Sequence, residues 1–296
     1  MDVAQHPALV QATEIRPPRP DRRIGMILAA EGKLRADDIA AVLRAQGEHG
    51  LRFGETAVHL KLITREDLRR AIAHQYDVPH LLPGNRRVSC ELVVAHEPFD
   101  RSAEQLRALR TQLLIRWANE AVRRRQLAIV SPGPAEGRSY LAANLAVAFA
   151  QLGDRTLLID CDLRRPRQHH IFDVPDRIGL SALLAGRADH SAIVPLAELG
   201  RLWLLPAGAR PPNPQELLSR DTFAALLEDL QAEFDVVLLD TPAACLYADA
   251  QTVAYRTGNA LVLARKDYTS LADTAHVIGE LADMGIRTVG TVYNEP

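Results

Sequence analysis

The sequence predicts an α/β protein in which a mostly parallel sheet carries helices on both faces and is preceded by a small all-α domain. Three observations carry this. From Ser102 onward, short apolar runs alternate with helix-patterned stretches, the order that gives right-handed strand-helix-strand crossovers. Residues 22–82 keep helical apolar spacing and lack strand-like alternation. Pro83, Gly84 and Asn85 punctuate the boundary between the two patterns.

Taken in order, residues 1–20 contain Pro7, Pro17, Pro18 and Pro20 with no periodicity, and read as a flexible tail. Residues 21–83 read as a helical domain, 84–101 as a linker, and 102–296 as the α/β domain. The helical part holds an internal repeat. Arg23-Ile24-Gly25 recurs as Arg52-Phe53-Gly54, Leu34 as Ile63, Asp38 as Asp67, Ile39 as Leu68, Leu43 as Ile72 and Gln46 as Gln75, at a constant offset of 29 positions. Two copies are too few for a solenoid, so the repeat describes a duplicated module. Residues 34, 39 and 43, then 63, 68 and 72, suit one buried helix face in each copy.

In the α/β part the strand candidates are Gln126–Val130, Arg155–Asp160, Leu202–Pro206, Val236–Asp240, Ala260–Ala264 and Thr288–Tyr293. The first runs into Ser131-Pro132-Gly133-Pro134-Ala135-Glu136-Gly137-Arg138-Ser139-Tyr140. A helix is expected from about Arg138 to Leu152, with Leu141, Leu145, Phe149 and Leu152 on one face and Gly153 in the cap position. Strand, glycine-containing loop and helix start together aim unpaired N–H groups at an anion. Gly137 permits close backbone approach, Arg138 supplies a permanent positive fork, and Ser139 is placed to ligate Mg²⁺. An ordinary strand-turn-helix corner would share some of these features.

Two later runs end in carboxylates: Ile159-Asp160-Cys161-Asp162 and Leu238-Leu239-Asp240-Thr241-Pro242. Ligands of open α/β sheets sit beyond the carboxyl ends of strands. An aspartate there can hold Mg²⁺ directly or through water, and a second can accept a proton from an attacking hydroxyl. Asp160, Asp162 and Asp240 are the candidates for these roles beside Arg138 and Ser139; each aspartate taken alone would equally suit a plain turn or cap.

Composition narrows the alternatives. A formal net charge of −2 and 5% aromatic residues argue against a nucleic-acid polymer as partner. Cys90, Cys161 and Cys245 show no metal-ligand or disulfide spacing, which fits a reducing compartment. No apolar run approaches the roughly 18 residues of a membrane span, and Met1–Thr13 lacks the pattern of a secretory signal. A cytoplasmic protein is expected, with any recruitment to the inner membrane supplied by a partner.

From Ser102 to Asn294 the sequence resembles the bacterial tyrosine kinases of exopolysaccharide export, a branch of the ParA/MinD-like P-loop ATPases. Residues 131–139 are similar to that family's Walker A, residues 158–166 (Leu-Ile-Asp-Cys-Asp-Leu-Arg-Arg-Pro) to its Walker A′, and residues 238–242 to its Walker B. The stretch Pro206-Ala207-Gly208 with Pro211-Pro212-Asn213-Pro214 resembles a further family segment. Glu104, Arg107 and Arg110 match a motif associated with ring oligomers. The resemblance implies ATP and Mg²⁺ as cofactors, with Gly133, Pro134, Ala135, Glu136, Gly137, Arg138, Ser139 and Tyr140 around the phosphates, Asn294 near the adenine, Arg138, Asp160, Asp162 and Asp240 as the catalytic set, and Ser139, Asp160 and Asp240 toward the metal. It implies autophosphorylation on tyrosine, a membrane polysaccharide copolymerase as partner and a homo-oligomeric assembly. Arg138 stands where the family carries lysine and Tyr140 where it carries threonine, so a nucleotide-dependent switch or scaffold with weak turnover is the alternative. Tyr293 is the last tyrosine of the sequence, near where the family carries its tyrosine-rich tail.

The duplicated module resembles the N-terminal domain of type II secretion and pilus-assembly ATPases (the MshEN type), some of which bind cyclic di-GMP. The resemblance implies cyclic di-GMP as regulatory ligand, with Arg23, Gly25, Leu28 and Gln46 from one copy and Arg52, Gly54 and Gln75 from the other. Ala57 replaces Leu28 in the second copy. A protein-docking module would fit the same residues.

Overall fold

The 29-residue repeat folds as two successive helix pairs. The first pair is α1 (Ile24–Ala30) and α2 (Ala36–His49); the second is α3 (Phe53–His59) and α4 (Arg65–Gln75). The second pair begins each helix 29 residues after its counterpart. The turns correspond as well: Gly32 and Lys61 both adopt left-handed backbone, at φ 70° and 56°. Each second helix is capped alike, the Arg35 N–H donating to Asp38 at 2.8 Å and the Thr64 N–H to Asp67 at 3.0 Å. Helix α1 packs on α4, and α2 on α3. The core accordingly mixes both copies, with Ile27, Leu28, Leu34 and Val42 against Ala57, Ile63 and Ala71. Neither copy closes a core alone. Leu43, expected inside, is exposed, because the narrow face of α2 is completed by Ile39 and Val42.

In this computed structural model, which describes residues 23–75, 81, 87–118 and 125–295, the chain divides into two units, Met1–Val78 and Pro79–Pro296. The expected tail 1–20 and the break at Pro83, Gly84 and Asn85 lie outside the described residues. The second unit contains α5 (Val93–His96), α6 (Arg101–Ala118), β1 (Gln126–Val130), α7 (Arg138–Leu152), β2 (Thr156–Asp160), α8 (Gln168–Phe172), α9 (Leu180–Leu184), β3 (Val194–Pro195), β4 (Leu202–Leu205), α10 (Pro214–Ser219), α11 (Asp221–Glu233), β5 (Val236–Asp240), α12 (Asp249–Thr257), β6 (Asn259–Arg265), α13 (Leu271–Asp283) and β7 (Arg287–Asn294). The strands form one sheet in the order β3-β4-β2-β5-β1-β6-β7, parallel except for the short β3.

Period-two alternation splits each strand between two cores. Leu127, Ile129, Leu158, Leu238, Leu261 and Leu263 face α6 and α7. Ala128, Val130, Leu157, Ile159, Leu239 and Val262 face α9 to α13. Helix α7 is buried from Leu141 through Ala150 on every side, not on one face, while Leu152 is 54% exposed. Its outer side is covered by α5 and α6. Part of the segment expected as a linker is therefore wall: Leu92, Val94 and Ala95 are fully buried, and Asn144 of α7 accepts from the Val94 N–H and donates to the Glu91 carbonyl. Asn144 is itself fully buried, so this exchange satisfies an amide that would otherwise cost a few kcal/mol.

Candidate nucleotide-binding site

Strands β2 and β5 are neighbours, and their last residues, Asp160 and Asp240, are partners in register. Both carboxylates are fully buried. The Asp160 Oδ2 accepts the backbone N–H groups of Arg167 and Gln168, each at 2.9 Å, and Oδ1 accepts that of Asp162 at 3.1 Å. Asp240 Oδ2 accepts from the Gln168 amide at 2.7 Å. Burial and the facing Asp240 push Asp160 well above the usual carboxylate range, against the pull of those backbone amides. Burial lifts Asp240 to about 6, although the Gln168 amide, the Ser139 hydroxyl and Arg138 all favour its charged form.

The loop after β1 rises beside this pair. Its first residues are zipped to the segment after β5: the Ala244 N–H donates to the Ser131 carbonyl and the Cys245 N–H to the Pro132 carbonyl, each at 3.0 Å. Pro132 is accommodated because that pairing uses its carbonyl and needs no N–H. Glu136 turns its carboxylate inward, accepting from the Gly133 N–H at 3.0 Å and the Thr269 hydroxyl at 2.6 Å. Arg265 donates to the Ala135 carbonyl and Asn294 to the Glu136 carbonyl, each at 2.9 Å. Gly137 adopts φ 103°, and a Cβ there would come within 2.5 Å of the Asn294 amide. Glycine is thus required by the backbone and by the neighbour together. Ala135 holds φ 56° without being glycine.

Arg138 opens α7 and points into the site. Its Nε donates to the Thr241 carbonyl at 2.9 Å, and its Nη1 to Ser131 Oγ and the Gly133 carbonyl. Burial lowers its pKa, opposed by Asp240, Asp162 and Glu136. Asp162 is half-buried and caps the next turn, accepting the Arg164 and Arg165 N–H groups at 3.1 and 2.8 Å. A cavity of about 890 Å³ opens beside the loop, lined by Gly137, Tyr140, Tyr293 and Asn294 with Gln105 from α6.

The expected loop and acidic residues lie together at this end of the sheet. Among the described residues no group of three acidic, histidine or cysteine side chains could hold a metal ion. Asp160 and Asp240 face each other, while Asp162 is turned toward its own loop. The residues nonetheless suit Mg²⁺, which keeps several waters and takes few carboxylates: Asp240 Oδ1 is buried without a well-formed hydrogen bond, beside the Ser139 hydroxyl.

Of the other expected sets, Glu104 pairs with Arg107 within α6 at 2.7 Å, whereas Arg110 donates to the Ala148 carbonyl of its own chain at 2.8 Å. Arg110 thus ties α6 to α7; of the motif only Glu104 is exposed, while Arg107 and Arg110 are half-buried. In the helical unit Leu28 is fully buried. The Cβ direction of Gly25 is filled by the Phe53 ring and that of Gly54 by Leu68. These three serve the module's own packing. Arg23 and Arg52 are exposed just before α1 and α3, and Gln46 and Gln75 are half-buried on α2 and α4.

Sequence reasoning missed Gln168, which bridges Asp240 to the Ser139 carbonyl, and the Arg164–Asp249 pair, joined at 2.8 and 3.1 Å with Tyr247 stacked 4.0 Å from the guanidinium. Gln168 follows Asp160 by eight positions without any pattern to mark it. Asp249 had a signal: an acid at the start of an apolar helix.

Residues 126–277, about half the chain, match the family model described as cellulose biosynthesis protein BcsQ. The chain is 33% identical over 204 residues to the putative tyrosine-protein kinase CapB of Staphylococcus aureus, covering 69% of this chain and 89% of that one. It spans only 26% to 29% of several longer tyrosine-protein kinases, including wzc of Salmonella typhimurium and etk of Escherichia coli. The solved kinase domain of the Escherichia coli tyrosine kinase ETK superposes with a TM-score of 0.65 at 31% identity, over 69% of this chain and 79% of that one. The septum site-determining protein MinD of Pyrococcus horikoshii, solved with Mg-ADP, superposes with a TM-score of 0.51 at 27% identity, over 57% of this chain and 70% of that one. The fold agrees with these matches, and the chain belongs to the bacterial protein-tyrosine kinase family of ParA/MinD-like P-loop ATPases.

Proposed function

We propose that the chain is an ATP- and Mg²⁺-dependent tyrosine autokinase and ATPase that regulates the chain length and export of an exopolysaccharide. The observation that carries this is the register pairing of Asp160 with Asp240, with Arg138 at the end of the neighbouring loop tied to the Thr241 carbonyl that follows Asp240. The loop from Gly133 to Tyr140 would bind the phosphates, and Asn294 and the adjoining cavity the base. Ser139 and Asp240, with Asp160 behind them, would hold Mg²⁺, which when bound neutralises charge on the transferring phosphoryl group. Asp162 is the more accessible carboxylate and would accept the proton of the attacking hydroxyl. Incubation with Mg·ATP, followed by phosphotyrosine detection and ADP measurement, tests the assignment. Both products are expected, and neither forming while ATP still binds would reject the enzyme.

One observation favours a second reading, a nucleotide-dependent switch or scaffold for the export machinery with weak turnover. The Arg138 guanidinium is engaged with the chain's own oxygens at Ser131, Gly133 and Thr241. A lysine has no planar fork to distribute in this way. ATP binding without ADP formation would support this reading.

We further propose that the helical unit senses cyclic di-GMP, a ligand of two equivalent halves, through Arg23 and Arg52. The support is the duplicated geometry, which repeats the two exposed arginines at equivalent helix starts. Calorimetry of the full chain with cyclic di-GMP tests it: heat at micromolar ligand that disappears in Arg23→Ala/Arg52→Ala is expected, and no heat at tens of micromolar rejects it. A membrane polysaccharide copolymerase partner, recruitment from the cytoplasm to the inner membrane and self-assembly through Glu104 and Arg107 complete the proposal. Among the described residues no helix is long and apolar enough to cross a membrane.

A further inference from the structure

Gln168 is fully buried at the start of α8, between the elements that carry the acidic residues. Its side-chain Nε2 donates to Asp240 Oδ2 at 2.7 Å and to the Ser139 carbonyl at 3.1 Å. Its backbone N–H donates to Asp160 Oδ2 at 2.9 Å. One residue therefore touches the end of β2, the end of β5 and the first turn of α7. Both protons of the amide nitrogen are used. Its Oε1, like Asp240 Oδ1, is buried and accepts no well-formed hydrogen bond. Buried amide oxygens normally find a donor, and leaving one unmet is costly. On these two hydrogen-bonded side chains Gln168 Oε1 has no donor and Asp240 Oδ1 has only the Ser139 hydroxyl beside it, so both acceptors are open to a further donor or a cation.

We propose that Gln168 is a positioning residue for a divalent cation. It fixes the Asp240 carboxylate through Oδ2, so that Oδ1 is left to the metal, and it offers Oε1 to a water of the cation's hydration shell. The proposal rests on the Mg·nucleotide reading above. The chemistry is consistent with the ion: Mg²⁺ retains water, and water bound to a cation is a strong donor to a neutral amide oxygen. A purely structural spacer would need its Nε2 bonds only and would place no unmet acceptor here. Groups that orient a metal ligand typically change metal affinity by about 10–100-fold when removed.

The test uses the full chain with Mn²⁺ as the probe, its binding read by electron paramagnetic resonance with a non-hydrolysable ATP analogue present. Gln168→Met keeps the volume and removes both amide functions. Gln168→Asn keeps the amide but withdraws it by one methylene. Either variant, where its circular dichroism and melting temperature match the parent, is expected to bind Mn²⁺ at least about tenfold more weakly. Binding of the metal-free analogue is expected to stay within twofold. Mn²⁺ affinity within twofold of the parent in a folded variant overturns the role of Gln168 and leaves the metal site standing. Failure of the parent itself to bind Mn²⁺ overturns the metal reading, and this inference with it.

Discussion

The Arg138 Nε donates to the Thr241 carbonyl at 2.9 Å, fastening the first residue of α7 to the end of the strand that carries Asp240. Nη1 extends the link to Ser131 and Gly133. The residue in the family's lysine position thus shapes the loop as well as charging it. Arg138→Ala is expected to weaken ATP binding by at least about tenfold, since it removes the half-buried cation and leaves three acceptors unmet. Arg138→Lys is expected to keep binding and to raise turnover several-fold, because a flexible ammonium is freer to follow the phosphates. Calorimetry with ATP and a coupled ADP assay read both.

Left-handed backbone at a non-glycine residue gives a second expectation. Lys61 repeats the conformation of Gly32 with a side chain present. Lys61→Gly should stabilise the helical unit by up to about 1 kcal/mol, since the relieved strain of about 1–2 kcal/mol exceeds the added freedom of the unfolded chain. Native-state hydrogen exchange of α3 and α4 in the full chain measures it.

Asp67 supplies a pH dependence. Burial opposes its ionisation, but hydrogen bonds from Thr64 and the Lys33 ammonium outweigh burial and lower its pKa from 3.8 to about 2. The folded pKa lies below the unfolded one, so the stabilisation is complete above 3.8 and fades as the pH falls toward 2. The difference corresponds to about 2 kcal/mol. Asp67→Asn should therefore expose α3 and α4 to exchange at pH 7, with the gap from the parent closing near pH 2.

The Arg164–Asp249 pair is bidentate, and Asp249 is fully buried. Since Arg164 also donates its N–H to Asp162, loss of the pair releases the loop after β2. Asp249→Ala should destabilise the second unit by about 1–3 kcal/mol, less than for a fully buried pair because the Arg164 left behind is partly open to water. Thermal melting shows it.

Much of this was legible in sequence because strands and loops were set by local chemistry. Gln126–Val130 and Val236–Asp240 are strands with the expected bounds, and Arg138–Leu152 is a helix closed by Gly153 in left-handed backbone. The repeat in the helical unit was equally readable, since it is a matter of counting. Long-range packing was not. Nothing local to Leu92 or Val94 announces burial against α7, and nothing local to Gly25 or Gly54 shows that Phe53 and Leu68 fill the space a ligand was expected to approach. Gln168 escaped for the same reason, its partners lying 29 and 72 positions away. The short β3 escaped because two residues give no alternation to read.

The central claim is that Asp240 and the loop around Arg138 form one metal-dependent nucleotide site. Titration of the full chain with ATP by calorimetry, with Mg²⁺ or with chelator, and repeated for Asp240→Asn, addresses it most directly. The account predicts binding that tightens at least about tenfold with Mg²⁺ in the parent and loses that gain in the variant. Equal affinity with and without Mg²⁺, or a full gain retained in Asp240→Asn, would contradict it.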